Sequence, residues 1–178
     1  MPPVHLPAAQ HAKIPWKNGL GVSRIVVTSP AGAGYEHLDW QVGATEIAAD
    51  SAFSLLPGLD RLFLVIEGDG VELTSIDGHG ATRTHPVEAM RFYAFSGDWK
   101  TGCRLLGGPV KVLNVLARRG KRRAALEIAS GGMIACAPGE TLVAVDLASL
   151  DAWRLDGVGE VKLPPGRFAA IRIEARRG

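Results

Sequence analysis

The chain has 178 residues, 47% of them apolar, with 20 Lys and Arg against 18 Asp and Glu. That is one domain or two small halves with enough apolar content for a core, which excludes disorder throughout, and the net charge of +2 points to no class of partner. The 22 glycines and 11 prolines disfavour long helices and favour a turn-rich β protein. Two cysteines, Cys103 and Cys136, are too few for a disulfide framework or a Cys-rich zinc site. No apolar stretch approaches the ~20 residues of a spanning helix. Residues 1–16 lack a basic region followed by a continuous apolar run, so no secretion signal is expected and a cytoplasmic protein with reduced thiols is.

The strand signals are short and regularly interrupted. Residues 24–28 read RIVVT. Residues 39–47 read DWQVGATEI, with Trp40, Val42 and Ala44 on one face and Asp39, Gln41 and Thr45 on the other. Residues 61–66 (RLFLVI) form a nearly continuous apolar run, the mark of a strand covered on both faces. The turn residues 67–70 (EGDG) follow, then 71–76 (VELTSI), which together predict a hairpin. Further strands are expected within 87–95, 110–117, 133–136, 141–145, 159–163 and 168–176. Leu147, Leu150 and Trp153 have the spacing of one helical turn. Many short strands without a βαβ alternation argue for a sandwich or barrel and against a Rossmann-type sheet. The basic run 118–123 (RRGKRR) separates a longer first half from a shorter second one. Each half carries a Gly-containing turn between strands, at 67–70 and at 164–166, so residues 1–120 are expected to form a first barrel and residues 121–178 the remainder of a second.

Residues 15–24, PWKNGLGVSR, gather a Trp, two cations, an amide, a hydroxyl and two glycines. Glycines let backbone N–H groups approach a ligand, Lys17 and Arg24 can hold an anion, and Trp16 can supply an apolar wall. The same composition also fits a Gly-rich loop entering a strand, with both cations in water. A phosphate loop is excluded, because Arg24 stands where a dinucleotide fingerprint has its third glycine and a strand follows instead of a helix. Three more polar residues lie in apolar surroundings: Arg61, Asn114 and Asp98. A buried Asn114 either braces the sheet or faces a wet cavity, and Asp98 fits an Asx turn or a ligand contact. The five histidines form no His-x-His pair, and no Gly-x-Ser-x-Gly elbow occurs. The basic run fits a solvated connector better than a nucleic-acid site, since no aromatics interleave it.

In this order and spacing, PWKNGLGVSR, LDWQVGATEIAADSAFSLLPGLDRLFLVIEGDGVEL, YAFSGD and GPVKVLNVLARRG resemble the HutD/Ves family. The resemblance implies an all-β bicupin fold, two cupin β-barrels in one compact chain, in a cytoplasmic protein tied to histidine utilisation. It places the family's polar pocket positions on Trp16, Lys17, Asn18, Ser23, Arg24, Arg61, Asp98, Asn114 and Arg118. Three positions depart from the family pattern: Ile25 and Lys111 where relatives are acidic, and Gln41 where they carry arginine. The expected function is a metal-independent protein that binds a small carboxylate such as urocanate or formylglutamate and regulates histidine utilisation. No cofactor, metal, nucleic acid or membrane partner is expected, and a homodimer is left open. The competing readings are a metal-free cupin enzyme, an isomerase or hydrolase acting on a small carboxylate, and a module that binds another protein.

Overall fold

The computed structural model describes residues 2–16 and 21–176. Its strands, in chain order, are β1 (Val4–Leu6), β2 (Ala12–Pro15), β3 (Gly21–Ser29), β4 (Trp40–Ile47), β5 (Ser51–Ala52), β6 (Leu59–Glu67), β7 (Val71–Ile76) and β8 (Thr82–Val87), followed by β9 (Phe92–Ser96), β10 (Lys100–Leu105), β11 (Val110–Arg118), β12 (Arg122–Cys136), β13 (Glu140–Asp146), β14 (Ala152–Asp156) and β15 (Gly159–Ala175). Among the described residues the only helical element is a short 3-10 turn, Ala8–Gln10, and no helix is long and apolar enough to cross a membrane. The fold is all-β, and among the described residues each sheet is open and none closes into a hydrogen-bonded barrel.

The chain divides into two compact units. Ala12–Arg119 form one, and the described residues up to His11 together with those from Gly120 onward form the other. Within the second of these, β1 pairs antiparallel with β14, His5 opposite Trp153, and the two rings stack at 4.9 Å.

The unit Ala12–Arg119 contains two antiparallel sheets, in the orders β2-β3-β4-β11-β6-β9 and β5-β10-β7-β8. They meet through one apolar cluster that includes Ile47, Phe63, Val65, Leu73, Phe95, Cys103 and Val112. The hairpin expected from residues 61–76 does not form. β6 pairs with β11 and β9, whereas β7 pairs with β10 and β8, so the turn between them carries the chain from one sheet to the other. Its glycines are required by space as well as by torsion. Gly68 and Gly70 have φ of 99° and 100°, and a Cβ at Gly70 would lie 2.6 Å from the Val87 carbonyl oxygen. The strand expected over 87–95 is interrupted at 88–91, where Met90 takes φ of 62°.

The other unit is a single sheet, β1-β14-β13-β15-β12, over a cluster including Leu142, Leu155, Val161, Leu163 and Phe168. Residues 164–166 are not the turn expected there. They lie inside β15, where Ser130 pairs with Arg167 and Gly132 with Leu163, leaving only Gly131 opposite the three. A Cβ at Gly131 would fall 1.9 Å from the Pro164 oxygen, so the bulge depends on that glycine. The helical turn expected around Leu147–Trp153 is instead a tight loop: Asp146 Oδ1 accepts the N–H groups of Ala148 and Ser149, and Trp153 belongs to β14.

Candidate functional site

A cavity of about 1000 Å³ opens within the unit Ala12–Arg119. Its wall is one face of three neighbouring strands, β4, β11 and β6, extended by Ser23 and Ile25 of β3. The period-two alternation read from residues 39–47 explains this: Gln41, Gly43 and Thr45 line the cavity, while Trp40, Val42 and Ala44 are buried on the opposite face. Gly43 stands opposite both Ile25 and Asn114, and its missing side chain leaves room at the centre of the wall. Trp16 and Phe53 line the cavity and also pack on the apolar cluster beneath it. Around the mouth, Ile14, Tyr35 and Leu55 are each about half exposed.

Four of the expected residues come together here. Trp16 Nε1 donates to Ser23 Oγ at 2.9 Å, Ser23 Oγ lies 3.1 Å from Thr45 Oγ1, Asn114 Nδ2 donates to Thr45 at 3.4 Å, and Arg61 Nη2 donates to Asn114 Oδ1 at 3.3 Å. Arg61 is 8% exposed, its Nε has no hydrogen-bond partner, and among the described residues no carboxylate pairs with it. The rings of Phe53 and Phe95 flank the guanidinium, each with its centroid 4.9 Å from Cζ. Burial lowers the Arg61 pKa from its ordinary value to about 10, so the group stays cationic at neutral pH.

Three of the other expected residues lie elsewhere. Arg24 sits between Ser23 and Ile25 on β3, so its side chain is directed to the face away from the cavity. Asp98 is a loop brace: its carboxylate accepts the Gly58 N–H at 2.8 Å and the Ser96 hydroxyl at 3.0 Å and pairs with Arg119. Arg118 stands behind the rim, donating to the carbonyls of Tyr35, Leu38 and Pro57 at 2.6, 3.1 and 3.4 Å. Arg119 also binds Asp60 and Ser96, so the start of the basic run is pinned to the fold and is not a solvated connector. Lys17 and Asn18 fall outside the described residues. Their flanks are held together, since the Trp16 N–H donates to the Gly21 carbonyl at 2.9 Å and a Cβ on Gly21 would meet the Trp16 ring at 2.9 Å.

Of the positions that depart from the family pattern, Ile25 and Gln41 line the cavity, with Gln41 Nε2 donating to Thr28 Oγ1 at 2.9 Å. Lys111 instead pairs with Glu67 at 2.8 Å. Thr45 is the central residue that site selection from the sequence missed, although the alternation had already placed it on the polar face. Tyr35, His37 and Phe53 were also missed, because they sit in or beside loops that carry no periodicity. Neither cysteine offers a nucleophile: burial pushes the Cys103 thiol up to about 12 and raises that of Cys136. Among the described residues no three His, Cys, Asp or Glu side chains group as metal ligands. The arrangement therefore offers one chemistry clearly, a buried cation and neutral hydrogen-bond donors facing a mostly apolar cavity.

Comparison with known proteins places this geometry in a family. The chain matches the HutD family over residues 8–171. It is 32% identical over 122 residues to an uncharacterized 21.2 kDa protein in the hutC 3′ region of Pseudomonas putida, and 29% identical over 115 residues to the protein Ves of Citrobacter koseri. These alignments cover 68% and 64% of this chain and 62% and 57% of the relatives, so it matches less than two thirds of their length. Among solved structures, HutD from Pseudomonas fluorescens SBW25 is similar at TM-score 0.80 and 26% identity, over 99% of this chain and all of that one. A conserved protein of unknown function from Pseudomonas aeruginosa PAO1 reaches TM-score 0.83 at 24% identity, over 98% of this chain and all of that one. An oxalate decarboxylase, at TM-score 0.58 and 8% identity over 96% of this chain and 76% of that one, shares the cupin-like fold alone. The chain belongs to the HutD family.

Proposed function

We propose that this protein binds a small carboxylate in the Arg61 cavity and serves, in the cytoplasm, as a metal-independent regulator of histidine utilisation. Membership of the HutD family and the relative from the hutC 3′ region support the link to that pathway. The observation that carries the binding reading is the buried Arg61 guanidinium, with an unpartnered Nε and no carboxylate beside it among the described residues. A buried cation without a counter-charge is unfavourable, and a carboxylate entering the cavity supplies both the charge and the missing acceptors. The neutral groups Ser23, Thr45 and Asn114 then orient it.

Titration calorimetry with urocanate, formylglutamate and acetate tests this. At least one is expected to bind saturably. Arg61→Ala is expected to weaken that binding on the order of 30-fold or more, as for loss of a buried charge-assisted contact. Arg24→Ala, on the other face of β3, should leave it unchanged. Absence of binding by all three, or wild-type affinity in Arg61→Ala, would overturn the proposal.

A further inference from the structure

The hydrogen-bond chain on the cavity wall has a direction, and that direction follows from which atoms can donate. A guanidinium has only N–H groups, so its 3.3 Å contact falls on the amide oxygen of Asn114. That leaves Asn114 Nδ2 as the donor to Thr45 Oγ1 at 3.4 Å. At the far end the Trp16 indole, also donor-only, gives its proton to Ser23 Oγ at 2.9 Å. Both ends of the chain therefore donate inward. Between them, the hydroxyls of Ser23 and Thr45 have two protons for the one bond they share at 3.1 Å. One hydroxyl proton, the second Asn114 N–H and the Arg61 Nε–H are left over, so the wall carries a surplus of donors.

We infer that Thr45 and Asn114 set the polarity of this wall: Thr45 holds the Asn114 amide with its oxygen toward Arg61, and the amide, being neutral, leaves the guanidinium uncompensated and the site selective for an acceptor-rich anion. This rests on the carboxylate reading above and names the residues that decide it. An aspartate at position 114 would place a carboxylate where Asn114 Oδ1 now meets Arg61. The protein would then carry its own counter-charge, and a ligand carboxylate would face a neutralised, occupied cation. A valine at position 45 would keep the shape but remove the acceptor that fixes the amide. The Asn114 Nδ2 donor would then lose its acceptor, and the amide would be held by Arg61 alone.

The test combines ligand-free thermal melting at neutral pH with calorimetric titration of acetate and urocanate, on wild type, Asn114→Asp, Thr45→Val and Thr45→Ser. Asn114→Asp is expected to melt higher than wild type without ligand and to lose affinity on the order of 30-fold or more. Thr45→Val is expected to lose about tenfold, and Thr45→Ser, which restores the hydroxyl, to bind close to wild type. The inference is overturned if Asn114→Asp melts no higher than wild type or retains its affinity, or if the valine and serine variants bind alike. If wild type binds neither probe nor formylglutamate while Asn114→Asp still melts higher, the carboxylate reading fails and the polarity assignment is supported. Lower melting of Asn114→Asp alongside intact wild-type binding has the opposite meaning.

Discussion

Arg61 and Asn114 touch diagonally across β6 and β11. The register pairs Arg61 with Leu116 and Asn114 with Phe63, so the 3.3 Å contact from Nη2 to Oδ1 spans a step along the strands as well as across them. The direct partner of Arg61 on its other side is Phe95 of β9, one of the two rings that hold the guanidinium. Arg61 is thus fixed by two aromatic faces and one amide oxygen, which position its charge without neutralising it.

That arrangement makes binding and stability oppose each other at one residue. Burial is the main cause that lowers the Arg61 pKa from its ordinary value to about 10. With the folded value below the unfolded one, the unfolded chain binds more protons between them. The charge is therefore a cost to folding that is fully present below about 10 and is relieved as the pH rises above that value. Arg61→Met keeps the apolar stem between Phe53 and Phe95 and removes the charge. It is expected to raise stability at pH 7 by about 1–3 kcal/mol, as when a buried charge gives way to an apolar side chain, while carboxylate binding disappears. Urea denaturation read alongside calorimetry checks both halves. A variant less stable than wild type would show that the two cation–π contacts outweigh desolvation.

How much of this was legible in the sequence depended on how local the cause was. The period of two in residues 39–47 correctly separated Gln41 and Thr45 from Trp40, Val42 and Ala44, because alternation is a property of a single strand. Arg61 stood out as a charge opening an apolar run, and it proved to be the cation facing the cavity. The turn after β6 was placed correctly, but its glycines say only that the chain reverses, not which sheet receives it. Asp98 and Arg118 show the same limit: their side-chain chemistry was evident, but their partners at Gly58, Arg119, Tyr35 and Pro57 are set by long-range packing that no local pattern encodes.

Asp98 should shape the acid side of the stability curve. The Arg119 guanidinium, then the Gly58 N–H, with the Ser96 hydroxyl, hold its carboxyl below the ordinary value of 3.8. With a depressed folded pKa, its contribution is present above 3.8 and is lost as the pH falls through the lower folded value. The carboxylate is largely in water, so the contribution is on the order of 1 kcal/mol or less. Asp98→Asn is expected to lower the melting temperature slightly at pH 7 and to make it fall less steeply with acid below pH 3.8. Melting curves recorded across that range for both proteins decide the point. Parallel acid limbs would show that Asp98 is not part of the cause.

Arg118 offers a test of how the cavity mouth is built. Its three guanidinium nitrogens reach Tyr35, Leu38 and Pro57, joining two rim segments that are distant in sequence, and its own N–H donates to the Asp39 carbonyl at 2.7 Å. Tyr35 and Pro57 line the cavity, and Leu38 is buried in a cluster with Leu56, Leu59 and Leu116. Lysine keeps the charge but not the planar fork, so it cannot hold both segments in one geometry. Arg118→Lys is therefore expected to lower stability by about 1–2 kcal/mol and to weaken carboxylate binding by about tenfold, although Arg118 itself does not line the cavity. Amide hydrogen exchange should quicken at residues 34–38 and 53–57 and stay unchanged along β11 beyond its last turn of chain. Unaltered exchange in both rim segments would reduce Arg118 to a surface cation, and unaltered affinity would separate the rim from binding.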